Sequence, residues 1–142
     1  MAKIPGKGTL FKLTIAASLT TIAQIDSISP GSQEQETVEC DTLDNTTADI
    51  PMQGTGRSTQ EKTNCNGYYD PANASQQFVV KQIADGETGA VAGSIVLADS
   101  GTTAVGFSAA GLSFGVAEIT PSALVKCSIG VIHNGLIDWP QS

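Results

Sequence analysis

Residues 123–139 read ALVKCSIGVIHNGLIDW. Val125, Cys127, Ile129 and Val131 alternate with Lys126, Ser128 and Gly130, the period of two that gives a strand one apolar face. Asn134-Gly135 comes next, a dipeptide suited to the positive φ angles of a tight hairpin, so residues 136–139 are expected to pair back on the strand. The most regular stretch of the chain is therefore β. Working backwards, residues 94–98, 104–108 and 112–119 read as further short strands. Residues 10–15 and 19–25 read as two more, joined at 16–18.

One segment has the helical period. Asp70 can accept hydrogen bonds from first-turn amides, and Pro71 suits a first helical position because its missing donor would go unused. Phe78, Val79 and Ile83 then fall on one face, and Gly86 can end the helix in a left-handed conformation. Before it, residues 33–41 alternate. Glu34, Glu36, Val38 and Cys40 lie on one side, with burial expected at Val38 and Cys40. Gln35, Thr37, Glu39 and Asp41 lie on the other, facing water or a lumen. Residues 42–56 lose this period, since Pro51, Gly54 and Gly56 oppose a regular element. The loop still carries Leu43, Ile50 and Met52, which a purely solvated loop does not need. A strand over 58–68 is expected after it.

The 142 residues suit one domain, 1–142, large enough for a core without staples. Only 5% of the chain is aromatic while 15 residues are glycine, so the packing is expected to rest on small aliphatic side chains between turns. A net charge of -7 gives no electrostatic grip on nucleic acid, though it suits a surface past which DNA slides. Cys40, Cys65 and Cys127 are widely spaced and read as free thiols. With His133 alone, no common zinc site can be completed.

Catalytic signals are thin. Gly111-Leu-Ser113-Phe-Gly115 matches the G-x-S-x-G elbow of serine hydrolases. The residues after Gly115 read as strand rather than helix, and no Asp stands between Ser113 and His133, so no catalytic, metal or cofactor residue is assigned. Asn45-Thr-Thr47 and Asn73-Ala-Ser75 fit the glycosylation tripeptide, a common chance pattern. Lys3, Lys7 and Lys12 precede an apolar stretch over 13–23. An alternative reading is therefore a secreted β-sandwich binding or adhesion module with a cleaved signal peptide, although Thr14, Ser18, Thr20 and Thr21 interrupt that stretch. No segment is long enough to span a membrane as a helix.

The order of four segments, IAQIDSISPG (22–31), VECDTLDNTTADIP (38–51), NGYYDPANASQQF (66–78) and VKCSIGVIHNGLIDW (125–139), resembles the major tail tube proteins of siphophages, the lambda-like tail tube family. The resemblance covers roughly residues 9–139. It implies a β sandwich with one flanking α-helix that forms a ring by edge association, the rings being hexameric and stacked into a tube. It also implies the partners: further copies of the chain, the tape measure protein, the tail terminator, and distal tail or baseplate proteins. DNA would pass through the lumen without specific binding, in a tail assembled in the bacterial host cytoplasm. On this reading Gln35, Thr37, Glu39 and Asp41 face the lumen. Leu43, Asp49, Ile50, Pro51 and Met52 belong to an inter-ring loop within 42–56.

Overall fold

The computed structural model describes residues 3–99 and 103–141. Among the described residues nine strands and one helix run in chain order: β1 (Leu10–Ile15), β2 (Ser18–Thr21), β3 (Ile25–Ser29), β4 (Gln33–Glu39), β5 (Met52–Gln60), β6 (Thr63–Tyr68), α1 (Ala74–Ala84), β7 (Val91–Val96), β8 (Ala104–Val116) and β9 (Lys126–His133). Seven strands form one antiparallel sheet in the order β2-β1-β7-β8-β9-β6-β3, and β4 and β5 form a separate two-stranded sheet.

The two edges of the large sheet, β2 and β3, are joined by residues 22–24 alone. Four Cα steps span at most about 15 Å. A flat seven-stranded sheet would be about 29 Å across. The sheet must therefore curl over on itself, and its two halves become the layers of a sandwich. Between them lie Phe11, Leu13, Ile22, Cys65, Val79, Ile95, Val105, Ile129, Val131 and Ile137, each 2% exposed or less. Phe11 and Phe107 stack at 5.7 Å. Gly93 permits this arrangement, because a Cβ there would lie 2.4 Å from Phe107 Cζ and 2.8 Å from the Lys12 carbonyl oxygen.

The helix packs on β8 and buries Val79 at the core. Its real anchor is polar. Gln76, 1% exposed, donates through Nε2 to the Ala23 and Tyr68 carbonyls at 3.0 and 2.9 Å, and its Oε1 accepts from the Asp70 amide at 2.9 Å. Ser75 Oγ accepts from the Ala23 amide. One helical turn thus satisfies the connector that closes the curled sheet, which matters because a buried amide or carbonyl left unpaired is costly.

Several local expectations need correction. The helix starts three residues later than Asp70-Pro71 suggests: Asn73 is the N-cap and accepts from the Ser75 amide, while Asp70 caps a tight turn by accepting from the Ala72 amide. Ile83 is exposed rather than on the packed face. The strands read at 104–108 and 112–119 are one strand, β8, bent at a bulge between Ala109 and Gly111. The strand read over 58–68 divides at residues 61–62 into β5 and β6, which belong to different sheets. β5 already begins at Met52, because Gly54 and Gly56 are tolerated in an exposed strand, Gly56 at φ 84° within an irregularity of the β4–β5 register.

Residues 136–139 do not pair back on β9. Asn134 lacks the positive φ that a two-residue hairpin needs, and the segment crosses to β8 instead. Asn134 and Asp138 donate to the Ser108 and Gly106 carbonyls, and Ile137 drops into the core. The tight hairpin lies elsewhere: β1 and β2 are joined by Ala16 and Ala17 at φ 52° and 64°.

A candidate assembly surface

The β4–β5 hairpin, the arm of the molecule, stands apart from this body. Every residue of β4 is exposed, and so is every residue of β5 except Gln60. The alternation of residues 33–41 predicts burial at Val38 and Cys40. Both are exposed instead, because no second layer lies against the arm.

Its root is fixed by hydrogen bonds rather than by apolar packing. Gln33 Nε2 donates to the Ile137 carbonyl at 2.7 Å, and the Ile137 amide donates to Gln60 Oε1 at 3.2 Å. Glu61 N–H donates to the Ser32 carbonyl at 3.0 Å. Gln60 Nε2 reaches the Pro30 carbonyl at 3.4 Å, and the same carbonyl accepts from Thr63 Oγ1 at 2.8 Å. Thr63 Oγ1 also lies 2.6 Å from His133 Nε2. Since the threonine hydroxyl proton is given to Pro30, the histidine must be the donor. His133 therefore carries its proton on Nε2, and its buried Nδ1 has no partner. Burial lowers its pKa, and the Phe107 ring meets it edge-on at 5.4 Å.

The tip is ordered by its own side chains. Cys40 N–H donates to the Pro51 carbonyl, which extends the ladder past Glu39 and Met52. Asn45 Nδ2 donates to Asp41 Oδ1 and to the Asp49 carbonyl, while Asn45 Oδ1 accepts from the amide and hydroxyl of Thr47. Asn73 accepts from the amide and hydroxyl of Ser75 in the same way. Both glycosylation-like tripeptides are thus built as asparagine-centred turns. Leu43 at the tip is fully exposed, and Ile50 and Met52 are 54% and 58% exposed. Asp49 contributes its carbonyl, and Pro51 leads directly into β5.

The register sorts the side chains of the arm. Gln35 opposes Ser58, Thr37 opposes Gly54 and Glu39 opposes Met52, so these share one face, while Val38 and Gln53 share the other. Asp41 lies just beyond β4, and its carboxylate is engaged by the Thr42 amide and Asn45 rather than extending the row of Gln35, Thr37 and Glu39. Both faces therefore carry acid and an exposed apolar residue, a balance that the single-strand pattern does not reveal. Charge is also concentrated here. Over residues 33–60, Glu34, Glu36, Glu39, Asp41, Asp44 and Asp49 stand against Arg57 alone, a net of about -5 out of the chain's -7.

The chemistry of the remaining candidates is quiet. Gly111 to Gly115 lies within β8, where Ser113 opposes Gly130 and Ala109 opposes His133, so no strand-to-helix elbow forms. Ser113 opposes Gly130, three positions along β9 from His133, so the two sit roughly 10 Å apart along the sheet. Cys65 and Cys127 are buried, and burial pushes the Cys65 thiol up to about 12. Among the described residues no group of three His, Cys, Asp or Glu is placed to hold a metal ion, and no helix is long and apolar enough to cross a membrane.

No protein-family model and no curated protein matches the chain. Solved structures do. A chain in the tail of an empty GTA particle, determined with C6 symmetry, has a TM-score of 0.70 at 17% identity over 96% of this chain and 98% of its own. A chain of the sixfold-symmetrised baseplate of the anti-feeding prophage gives 0.72 at 7% identity over 95% and 94%. A chain in the structure of the PVC sheath/tube terminator, from an extracellular contractile injection system, gives 0.61 at 12% over 94% and 95%. The fold is shared across essentially the full length of each. The mainly β architecture with one helix is thus that of chains in tail and injection assemblies.

Proposed function

We propose that this chain is a structural protein of a phage-type tail, a tube subunit that assembles as stacked hexameric rings through which DNA is conveyed. The observation that carries the reading is the arm: a two-stranded sheet with both faces and both outer edges unpartnered. An isolated exposed sheet of this kind is a template for pairing with another chain. Edge pairing repeated by a fixed rotation closes a ring, and a head-to-tail contact repeated along an axis builds a tube. Support comes from full-length likeness to chains in assemblies of sixfold symmetry. The similar chains come from a GTA particle tail, a baseplate and an extracellular contractile injection system, so the reading is of a tail tube in the broad sense, with the siphophage kind as one form.

In this reading 1–142 is a single tube domain, and the face of Gln35, Thr37 and Glu39, with Asp41 at its end, lines the lumen. Hydrated acids are inexpensive on a wet channel wall and costly in a dry interface. Negative charge there adds no affinity for DNA. The tip around Leu43, Asp49, Ile50, Pro51 and Met52 makes the contact between rings. Partners would be the tape measure, the terminator and the distal tail or baseplate proteins, all within a virion tail assembled in the host cytoplasm.

Negative-stain electron microscopy of the purified protein tests the proposal. Sixfold rings or tubes are expected, and a protein that stays monomeric at high concentration overturns it. Rings that cap purified tubes but never stack identify a terminator instead. For the lumen, Gln35→Lys with Glu39→Lys is expected to assemble and to slow DNA release, with relief by salt. Loss of assembly places that face in an interface, and normal release places it outside the channel.

A further inference from the structure

The arm needs a receiving surface, and the topology singles one out. The root of the arm sits at the end of β6 and β9 where Thr63 pairs with Val131. At the other end Tyr68 pairs with Lys126, and there the β8–β9 connection, residues 117–125, leaves the sheet. Seven strand steps separate Lys126 from His133, about 24 Å. This far end carries the most exposed large apolar residues of the body, Ile119 at 70% and Leu124 at 73%, with Val116 at 43%. Tyr69 stands beside them, its N–H donating to the Val125 carbonyl and its ring against Phe114 at 5.8 Å. Such a cluster on one rim of a small domain marks an interaction surface.

We propose that the arm tip of one copy seats Leu43, Ile50 and Met52 on the 117–125 connection of the next copy, against Ile119 and Leu124. This rests on the assembly reading above and names the surface that completes it. Two features select a second copy of the body as the occupant. The arm root and the 117–125 connection lie at opposite ends of the β6–β9 pair, so one copy can offer its arm and its acceptor surface at the same time. The charge distribution also disfavours tip on tip, which would set Asp41, Asp44 and Asp49 against their own copies, whereas residues 116–126 carry one acid and one base, Glu118 and Lys126. The contact is heterologous and does not close on itself, so it propagates.

Paired dead-end variants test this. Ile50→Asp with Met52→Asp removes the donor, and Ile119→Asp with Leu124→Asp removes the acceptor. Each is expected to stay folded by circular dichroism and to raise the concentration needed for stacking at least tenfold. Mixed, they retain one intact donor and one intact acceptor, so sedimentation is expected to show stacks of two units and no longer species. In a Cys40→Ser background, Met52→Cys with Leu124→Cys is expected to give oxidative cross-links between copies, which covers the case in which an aspartate variant misfolds. Wild-type tubes with neither paired stacks nor the cross-link overturn this docking and leave the tube reading standing. A wild type that forms no assembly overturns both.

Discussion

The body and the arm are both antiparallel β structure, yet opposite forces hold them. In the body, inward residues of one curled sheet meet across a packed core, and the helix staples its seam through Gln76. Burial of apolar area dominates there. In the arm no residue of β4 is buried, and order comes from a ladder, a glutamine-rich root and an asparagine-centred tip. A two-stranded sheet of this kind is marginal alone. The comparison shows two uses of one secondary structure: the body buries its inward apolar residues in a core of its own, and the arm leaves all of its apolar residues available for another chain.

If the body is held by close packing, a point where backbone and ring meet without room for a side chain should fail first. Gly93→Val is expected to destabilise by about 3 kcal/mol or more, since the new side chain meets both Phe107 and the Lys12 backbone. Chemical denaturation measures it, and an unchanged midpoint would show that the packing around the ring stack yields freely. Gln76→Ala comes next, at about 2–3 kcal/mol, because the Ala23 and Tyr68 carbonyls and the Asp70 amide lose their partner together. Hydrogen exchange should then rise at the Asp70 amide, which loses its acceptor, while the arm is unaffected.

A smaller effect concerns the junction of the two regions. His133 is held neutral with its folded pKa below 6.5. In the window between the folded value and 6.5 the unfolded chain binds more protons, so stability should fall as pH drops below 6.5 and level off beneath the folded pKa. Denaturation midpoints across that range, with His133→Gln as the flat control, check the sign. Ala16→Asn with Ala17→Gly should stabilise by about 1 kcal/mol, since both positions hold left-handed backbone that alanine resists. Gly54→Ala in the arm should change stability by less than about 0.5 kcal/mol, because nothing lies within 4 Å of the added carbon. A large loss there would mean that the arm is packed against something.

Much of the body was legible because a strand with one dry face writes its period into the chain. Residues 126–131 of the alternating stretch fall within β9, 10–15 became β1, and Phe78-Val79 marked the helix. The arm was half legible. Its alternation and its exposed Leu43, Ile50 and Met52 could be read, but the same alternation suggested a buried side at Val38 and Cys40 that the fold does not supply. A period of two reports only that two faces differ, not that a second layer exists to cover one of them.

The sequence by itself determined the class of structure, the position of the helix within a few residues and the acidic balance, because each depends on composition or on neighbours along the chain. Tertiary structure alone decided the rest. That residues 22–24 close a seven-stranded sheet, that Gln76 seals the seam, that the 136–139 segment crosses to β8, and that Ile119 and Leu124 lie at the opposite end from the arm root are all facts about residues far apart in the chain. No local propensity encodes them, since they arise when one curled sheet buries a common core and leaves the remaining apolar groups for another molecule.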